Sequence, residues 1–245
     1  MQSIECVPRP SGEDAVKVPS GPILTGLGAA LPPQVWRAIL TCGTLRRYRP
    51  GAVLLREGTQ GSYVLALMEG RVMITRVTAR GEEMIMALGD PGEILGDMTV
   101  MDQELRSATV SALTDCTVRV LSSEQFRSLI RKHDAVDSVA RHAFARFREA
   151  ELARFEMSKF PADQRIACVL IRLMASHPDR DIDLSQDQLA RLTGTSRNTV
   201  VAVLASMRAQ GVITTSRGRL IVRAPKALHE LAAGNSAPTG PAQAV

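Results

Sequence analysis

Asp97 and Arg106 stand nine positions apart in the stretch GDPGEILGDMTVMDQELRSATV, residues 89–110. A carboxylate accepts hydrogen bonds from hydroxyls, and a guanidinium forks onto the oxygens of a phosphate. Between them, Met98 and its neighbours read as the start of a short helix. The first N–H groups of such a helix have no partner inside it and attract anions. Gly96 frees the backbone for the close approach of a large group. Ser107 and Ala108 lead from the arginine into a strand. Gly96, Asp97, Met98, Arg106, Ser107 and Ala108 therefore make a candidate pocket for a phosphate and its ribose hydroxyl. A β-turn carrying a surface arginine has the same local composition, so the loop alone leaves both readings open.

A second set of residues has the types and spacing to read DNA. Residues 184–209 are LSQDQLARLTGTSRNTVVAVLASMRA. Ser185 to Gln188 is a capping box that starts a helix. Gly194 sits where a tight turn needs a positive φ, and Thr195 or Ser196 caps a second helix with Val200, Val203 and Leu204 inward. Two short helices joined by a glycine turn predict a helix-turn-helix, with an ordinary helical hairpin as the alternative. The second helix presents Ser196, Arg197, Asn198, Thr199 and Ala202 to base edges in the major groove. Arg197 can fork onto a guanine, worth roughly 1–3 kcal/mol of discrimination, and Asn198 can meet an adenine edge or a phosphate. Residues 212–222 read as two strands around a Ser216-Arg217-Gly218 turn, a wing with Arg217 and Arg219 beside phosphates or simply solvated. Ser185 completes the set. From 191 to 226 the chain carries Arg191, Arg197, Arg208, Arg217, Arg219, Arg223 and Lys226 and no acid. A one-signed stretch of that kind suits a phosphate backbone.

These residues need elements to hold them. A helical apolar pattern over about 24–44 has Leu31, Val35, Ile39 and Leu40 on one side. Over 45–121, short runs such as Tyr63–Leu67, Val72–Ile74 and Thr117–Leu121 alternate with glycine turns, which predicts an all-β unit of jelly-roll or β-roll type. Ser122 to Gln125 can cap a helix running through Ile130. Residues 134–159 contain no Gly or Pro. Val136, Ala140, Ala143, Phe147, Ala150 and Met157 recur there at steps of four and three, broken at Arg154. That spacing predicts a coiled-coil dimer seam flanked by Arg141, Arg146, Arg148, Glu149 and Glu151, with a helix packed within one chain as the alternative. Phe160-Pro161 breaks the helix and is a candidate hinge. The predicted fold is α+β: a β-roll at 21–133, a dimerisation helix at 134–159, and a winged helix-turn-helix at 160–230. Disordered tails are expected at 1–20 and 231–245.

The β unit carries further landmarks: Pro50-Gly51, Leu55-Arg56-Glu57-Gly58, Tyr63-Val64-Leu65, Glu69-Gly70-Arg71-Val72, Gly81, Leu88-Gly89 and Ala112-Leu113-Thr114-Asp115-Cys116. With the loop at 89–110, they resemble the phosphate-binding cassette of cyclic-nucleotide-binding domains. Together with the C-terminal motif, the chain resembles the Crp/Fnr superfamily of bacterial transcription regulators over roughly 24–224. The resemblance implies a homodimeric, sequence-specific DNA-binding regulator that acts on a palindromic operator and on RNA polymerase. It implies a cyclic nucleotide as ligand, cAMP foremost. Asp97 would accept a hydrogen bond from the ribose 2′-OH, and Arg106 would neutralise the cyclic phosphate. Ser107 and the N–H groups near Met98 and Ala108 would complete the cradle, and the partner's long helix would close over the base.

The chain departs from the family pattern in three places. Asp97 replaces the usual Glu and is one methylene shorter, so it must reach about an ångström further or act through a water. The long helix lacks the adjacent hydroxyl pair that meets adenine, near Ala150 and Glu151, leaving Arg148, Glu149, Glu151 or stacking for the base. Asn198 and Ala202 stand where the best-studied branch has Glu and a second Arg, which implies a different operator. A degenerate, ligand-independent pocket, or a nucleotide-binding DNA-architectural protein that does not regulate transcription, are the alternative functions.

Composition narrows the classes. The chain has 245 residues, 45% hydrophobic and 22% charged, with a formal net charge of +5. That is enough for one large or two small folded domains. No apolar run approaches the ~18 residues of a membrane span, and the N-terminus lacks the apolar core of a signal peptide. A cytoplasmic protein without a membrane partner is expected. Cys6, Cys42, Cys116 and Cys168 are scattered, with no C-x-x-C and no metal spacing, so neither a metal nor an iron–sulfur cluster is expected. His133, His142, His177 and His229 are not paired with nucleophile motifs, and no stretch outside the β unit is long enough for a catalytic domain. The chain is not expected to be an enzyme.

Overall fold

The computed structural model describes residues 24–81, 83–175, 181–216 and 219–234. The tail expected at 1–20, and that at 231–245 beyond residue 234, lie outside the described residues. Packing divides the chain into two compact units, with the division between Phe147 and Arg148.

The first unit begins with α1 (Gly26–Ala30) and α2 (Pro33–Cys42). The single helical pattern expected over 24–44 is thus two helices. Leu31 is extended, with φ −78° and ψ 149°. A residue before proline is pushed out of the helical region, and Pro33 then suits the first helical position of α2. The strands are β1 (Thr44–Tyr48), β2 (Val53–Leu55), β3 (Tyr63–Glu69), β4 (Val72–Val77), β5 (Glu83–Gly89), β6 (Ile94–Leu95), β7 (Thr109–Ala112) and β8 (Cys116–Ser122), with α3 (Asp97–Asp102) between β6 and β7. They form two four-stranded antiparallel sheets, ordered β1-β8-β3-β6 and β2-β7-β4-β5. This is the expected β-roll.

Strand β3 explains why the two sheets and the helices form one unit. Its alternate residues point to opposite faces. Leu65 and Leu67 join Leu55, Val72, Leu95, Val110 and Val118 between the sheets. Val64 and Ala66 join Val35, Trp36, Ile39, Phe126 and Ile130 under the helices. A strand buried on both faces reads as a continuous apolar run, which is how Tyr63–Leu67 stands in the sequence. The next helix, α4 (Ser123–Lys132), starts at the predicted capping box: Ser122 Oγ accepts the Gln125 N–H at 3.1 Å, and the Ser122 N–H donates to Gln125 Oε1 at 2.9 Å.

Helix α5 (Val136–Lys159) follows, and Val136, Phe147 and Met157 of the expected seam are in solvent along it. The large apolar residues in solvent along this helix are Val136, Phe144, Phe147, Leu152, Phe155 and Met157, with Phe144 64% and Phe147 61% exposed. Met157, though partly in solvent, also packs its methyl on the Cα side of Gly194, and Arg165 Nη1 lies 3.8 Å from its sulfur. Phe144, Leu152 and Phe155 widen the exposed apolar face beyond the residues of the expected seam.

The second unit contains α6 (Ala162–Ala175), β9 (Asp181–Asp183), α7 (Gln186–Thr193), α8 (Arg197–Ala209), β10 (Ile213–Ser216), β11 (Arg219–Val222) and α9 (Pro225–Ala232). Phe160-Pro161 separates α5 from α6, as expected. The wing strands β10 and β11 pair antiparallel, and β9, unread in the sequence, adds a third strand through Ile182 opposite Leu220. Helix α9 carries the fold past residue 230, and Leu228 and Leu231 are buried. Gly194 ends α7 at φ +57°, the left-handed conformation that only glycine adopts without strain. Glu156, buried near the end of α5, takes both of its oxygens to Arg172 Nη1 on α6, at 2.9 and 2.7 Å.

Candidate functional site

In the first unit, Gly96, Asp97, Met98, Arg106, Ser107 and Ala108 line one cavity of about 60 Å³, floored by Leu55, Ile74, Leu95 and Val110. Gly96 caps α3 at φ +82°. A Cβ at this position would collide with Arg106 Nη1, so the glycine and the guanidinium occupy a shared space. Arg106 is only 4% exposed. Its Nη2 donates to the Tyr63 carbonyl at 2.7 Å, and the guanidinium lies 4.8 Å over the Tyr63 ring. Its Nη1 is buried without a hydrogen-bond partner. Burial also lowers the Arg106 pKa from its ordinary value, yet arginine keeps its charge at any physiological pH. A buried cationic donor left unsatisfied is costly unless an anion completes it.

Helix α3 starts at Asp97, one residue earlier than the sequence reading placed it. The Asp97 carboxylate is buried, and burial pushes its pKa up. Arg146, the Met98 N–H and His142 oppose that rise. The Met98 N–H expected near a phosphate also stabilises the ionised Asp97 carboxylate. Arg146 Nη1 lies 3.9 Å from Asp97 Oδ1 and lines the cavity. In the sequence Arg146 reads only as a charged flank of the seam. Its role depends on how α5 lies on α3, and no local motif signals that.

In the second unit, Ser185 and Ser196 are spent on caps. Ser185 Oγ accepts the Gln188 N–H at 3.2 Å, and Ser196 Oγ accepts the Thr199 N–H at 3.1 Å while pairing with Thr199 Oγ1 at 2.8 Å. Thr195 Oγ1 pairs with Thr193 Oγ1 at 3.1 Å, so Ser196 is the cap of α8. Val200, Leu204 and Met207 are buried beneath α8. Arg197, Asn198, Val201 and Ala202 form its exposed face. Arg217 lies outside the described residues. Arg219, at the start of β11, meets Asp181 through Nη2 at 3.2 Å, and Arg197 meets Asp187 through Nε at 3.3 Å. The stretch 191–226 is free of acids in sequence but not in space, because β9 pairs with β11 and the first turn of α7 flanks α8. A cleft of about 260 Å³ lies among these elements, lined by Ser185, Asp187, Arg197, Thr215, Ser216 and Arg219 over Leu184, Leu189, Leu204 and Leu220.

Residues 45–133 match the family model of the cyclic nucleotide-binding domain, and residues 164–231 that of the Crp-like helix-turn-helix domain. The cyclic AMP receptor protein of Thermus thermophilus is 32% identical over 190 residues, which span 77% of this chain and 88% of that protein. The chain belongs to the Crp/Fnr family of transcription regulators. The cAMP-activated global transcriptional regulator CRP of Salmonella typhimurium is 25% identical over 186 residues, 73% of this chain and 88% of that protein. Among solved structures, FixK2 of Bradyrhizobium japonicum has a TM-score of 0.67 at 21% identity, covering 77% of this chain and 96% of that one. The c-di-GMP-responsive regulator CLP of Xanthomonas campestris has a TM-score of 0.65 at 20% identity, covering 78% and 99%. These two share the fold.

As a Crp/Fnr member, the protein is a DNA-binding transcription regulator that carries a cyclic-nucleotide-binding domain, and its relatives are regulators, not enzymes. Among the described residues, no group of three or more His, Cys, Asp or Glu side chains could hold a metal, and no helix is long and apolar enough to cross a membrane. Burial raises the pKa of the Cys116 and Cys168 thiols, which suppresses the reactive thiolate. Val201 is 39% exposed beside Ala202 and was not singled out in the sequence. It follows Arg197 by four residues, the spacing of one helical face.

Proposed function

We propose that this Crp/Fnr protein is a homodimeric regulator whose operator binding is controlled by a cyclic nucleotide, with cAMP the first choice. The observation that carries this reading is the buried Arg106 Nη1, unpartnered and facing the cavity beside Gly96. A cyclic phosphate supplies the missing acceptor and the missing charge together. Asp97, with Arg146 behind it, is suited to accept the ribose 2′-OH, and Ser107 and Ala108 form the opposite wall. The 32% identical relative is a cyclic AMP receptor protein, which supports cAMP over other nucleotides.

The α5 stripe of Phe144, Phe147, Leu152 and Phe155 supports the dimer, since exposed aromatic side chains along one helix face cover themselves by self-association. Two copies of α8 related by a dyad then read half-sites about 34 Å apart. Arg197 and Asn198 would contact base edges and Val201 a thymine methyl. Arg217 and Arg219 would hold phosphates, next to a promoter where RNA polymerase binds. Ligand binding shifts the population of dimer arrangements toward the one that fits the operator.

Titration calorimetry of the purified protein with cAMP and cGMP tests the ligand. Binding of cAMP that Arg106→Ala abolishes is the expected result. Absence of binding by both nucleotides returns the pocket to the ligand-independent reading, which the existing Asp97–Arg146 pair would then explain.

A further inference from the structure

Arg197 is the residue of α8 best suited to read a base, and its nearest charged neighbour is an acid from a different helix. Asp187 lies in the first turn of α7, and its Oδ1 is 3.3 Å from Arg197 Nε. Both side chains are largely in solvent, 62% for Arg197 and 64% for Asp187. An ion pair that exposed contributes little to folding. Its position on the face that meets DNA is the informative point, because a carboxylate there is repelled by every phosphate.

The atoms involved explain how such an acid is useful. A guanidinium has two hydrogen-bonding edges that matter here. Contact through Nε engages the inner edge and leaves the terminal Nη1–Nη2 edge for the O6 and N7 of a guanine. The carboxylate also fixes a side chain that would otherwise sample many rotamers, which reduces the ordering cost of making two bonds at once. If Arg197 turned to a phosphate, it would abandon Asp187 and leave the acid against the backbone. The pair therefore favours the base-reading orientation over the phosphate-binding one. Arg219 makes a useful contrast. Its pair with Asp181 runs through a terminal nitrogen, Nη2, so a phosphate must displace Asp181 to use that atom.

We propose that Asp187 is a specificity-determining positioning residue, which orients Arg197 toward a base edge and penalises binding to DNA that lacks the matching base pair. The inference rests on the reading of Arg197 as a base contact. It predicts that this regulator discriminates operator from random DNA partly through an acid that never touches a base.

The test uses the full-length protein with its best cyclic nucleotide, if calorimetry finds one. The DNA is the duplex that the wild-type protein enriches from a random pool, compared with random duplex and with single base-pair variants of the enriched site. Asp187→Asn keeps the shape and removes the charge. It is expected to strengthen binding to random DNA by about threefold. Discrimination at one base pair of each half-site should fall by about tenfold, with the other positions unchanged. In an Arg197→Ala background the same substitution should no longer affect discrimination. Asp187→Glu keeps an acid in the first turn of α7, and so keeps its helix-stabilising charge, but moves the carboxylate. It should lose discrimination while melting at the wild-type temperature, a split that a merely structural role does not give. An operator-to-random ratio for Asp187→Asn within twofold of wild type overturns the proposal. If Arg197→Ala itself leaves every base pair equally discriminated, the base-reading role of Arg197 fails as well. Loss in Arg197→Ala without loss in Asp187→Asn refutes the role of Asp187 alone.

Discussion

Arg106 Nη1 lies in the space that a Cβ on residue 96 would occupy. Gly96 is therefore required twice, once for its φ of +82° and once for the room it leaves to the guanidinium. Gly96→Ala should cost about 1–3 kcal/mol from the left-handed backbone. That corresponds to a melting temperature lower by about 3–8 °C for a chain of this size. It should also displace Arg106 and abolish cyclic nucleotide binding. Thermal unfolding and calorimetry on one preparation check both outcomes, and unchanged affinity would separate the glycine from the pocket.

Asp97 gives the pocket a dependence on pH. Burial holds its pKa above the ordinary 3.8, against the pull of Arg146, the Met98 N–H and His142. The folded chain therefore binds this proton more tightly than the unfolded chain. The group's contribution to stability is greatest below 3.8 and declines as pH rises to the raised folded value. Ligand affinity should run the other way, because a ribose hydroxyl donates to the ionised carboxylate. Asp97→Asn should flatten both profiles. Melts and titrations across the acid range test this, and a ligand profile that persists in the variant would move the effect to His142 or another group.

The apolar stripe on α5 makes a prediction that separates two registers. Phe144→Glu should weaken self-association by at least about a hundredfold, as expected when a central aromatic anchor is replaced by a charge. Met157→Ala should leave the dimer intact. It should instead destabilise the second unit by about 1–3 kcal/mol, since Met157 packs at Gly194 and is half exposed. Sedimentation velocity and thermal melts distinguish the outcomes. Dissociation on changing Met157 would put that residue in the dimer seam, as read from the sequence.

Glu156 is buried, and Arg172 Nη1 is bonded to both of its oxygens. Arg172→Ala would leave that carboxylate unpaired. The expected cost is about 2 kcal/mol, below the ~3–5 kcal/mol of a fully enclosed pair because Arg172 is partly solvated. The double variant Glu156→Leu, Arg172→Met should regain most of the loss. Chemical denaturation measures both, and a double variant as unstable as Arg172→Ala would argue against an unpaired charge as the cause.

The legible parts of the molecule were those encoded within a few residues. The capping boxes at Ser122 and Ser185, the left-handed Gly194, the Phe160-Pro161 break and the paired wing strands all follow from local chemistry. The six pocket residues could be proposed together because nearly all of them lie in one loop. What escaped depends on contacts between distant segments. Arg146 reaches Asp97 only through the way α5 packs on the first unit. Asp181 and Asp187 approach the wing and α8 through pairing and packing that charge patterning along the chain does not reveal. Period alone also did not show that Phe144, Leu152 and Phe155 stand in solvent beside the expected seam residues. The break at Leu31 was available in Pro32-Pro33, but the apolar pattern ran across it.

Strand β3 has a consequence beyond holding the sheets together. Its interior residues are sealed on both faces, and its Tyr63 carbonyl grips Arg106. Backbone amides in such a strand exchange with solvent only when the whole unit opens. The Arg106 guanidinium is thus fastened to the first residue of a strand whose interior is sealed. Its conformational entropy is already lost in the free protein, and little remains to be lost on binding. The six-residue α3, flanked by left-handed residues at Gly96 and Gln103, is where ligand should slow deuterium uptake, with β3 silent throughout.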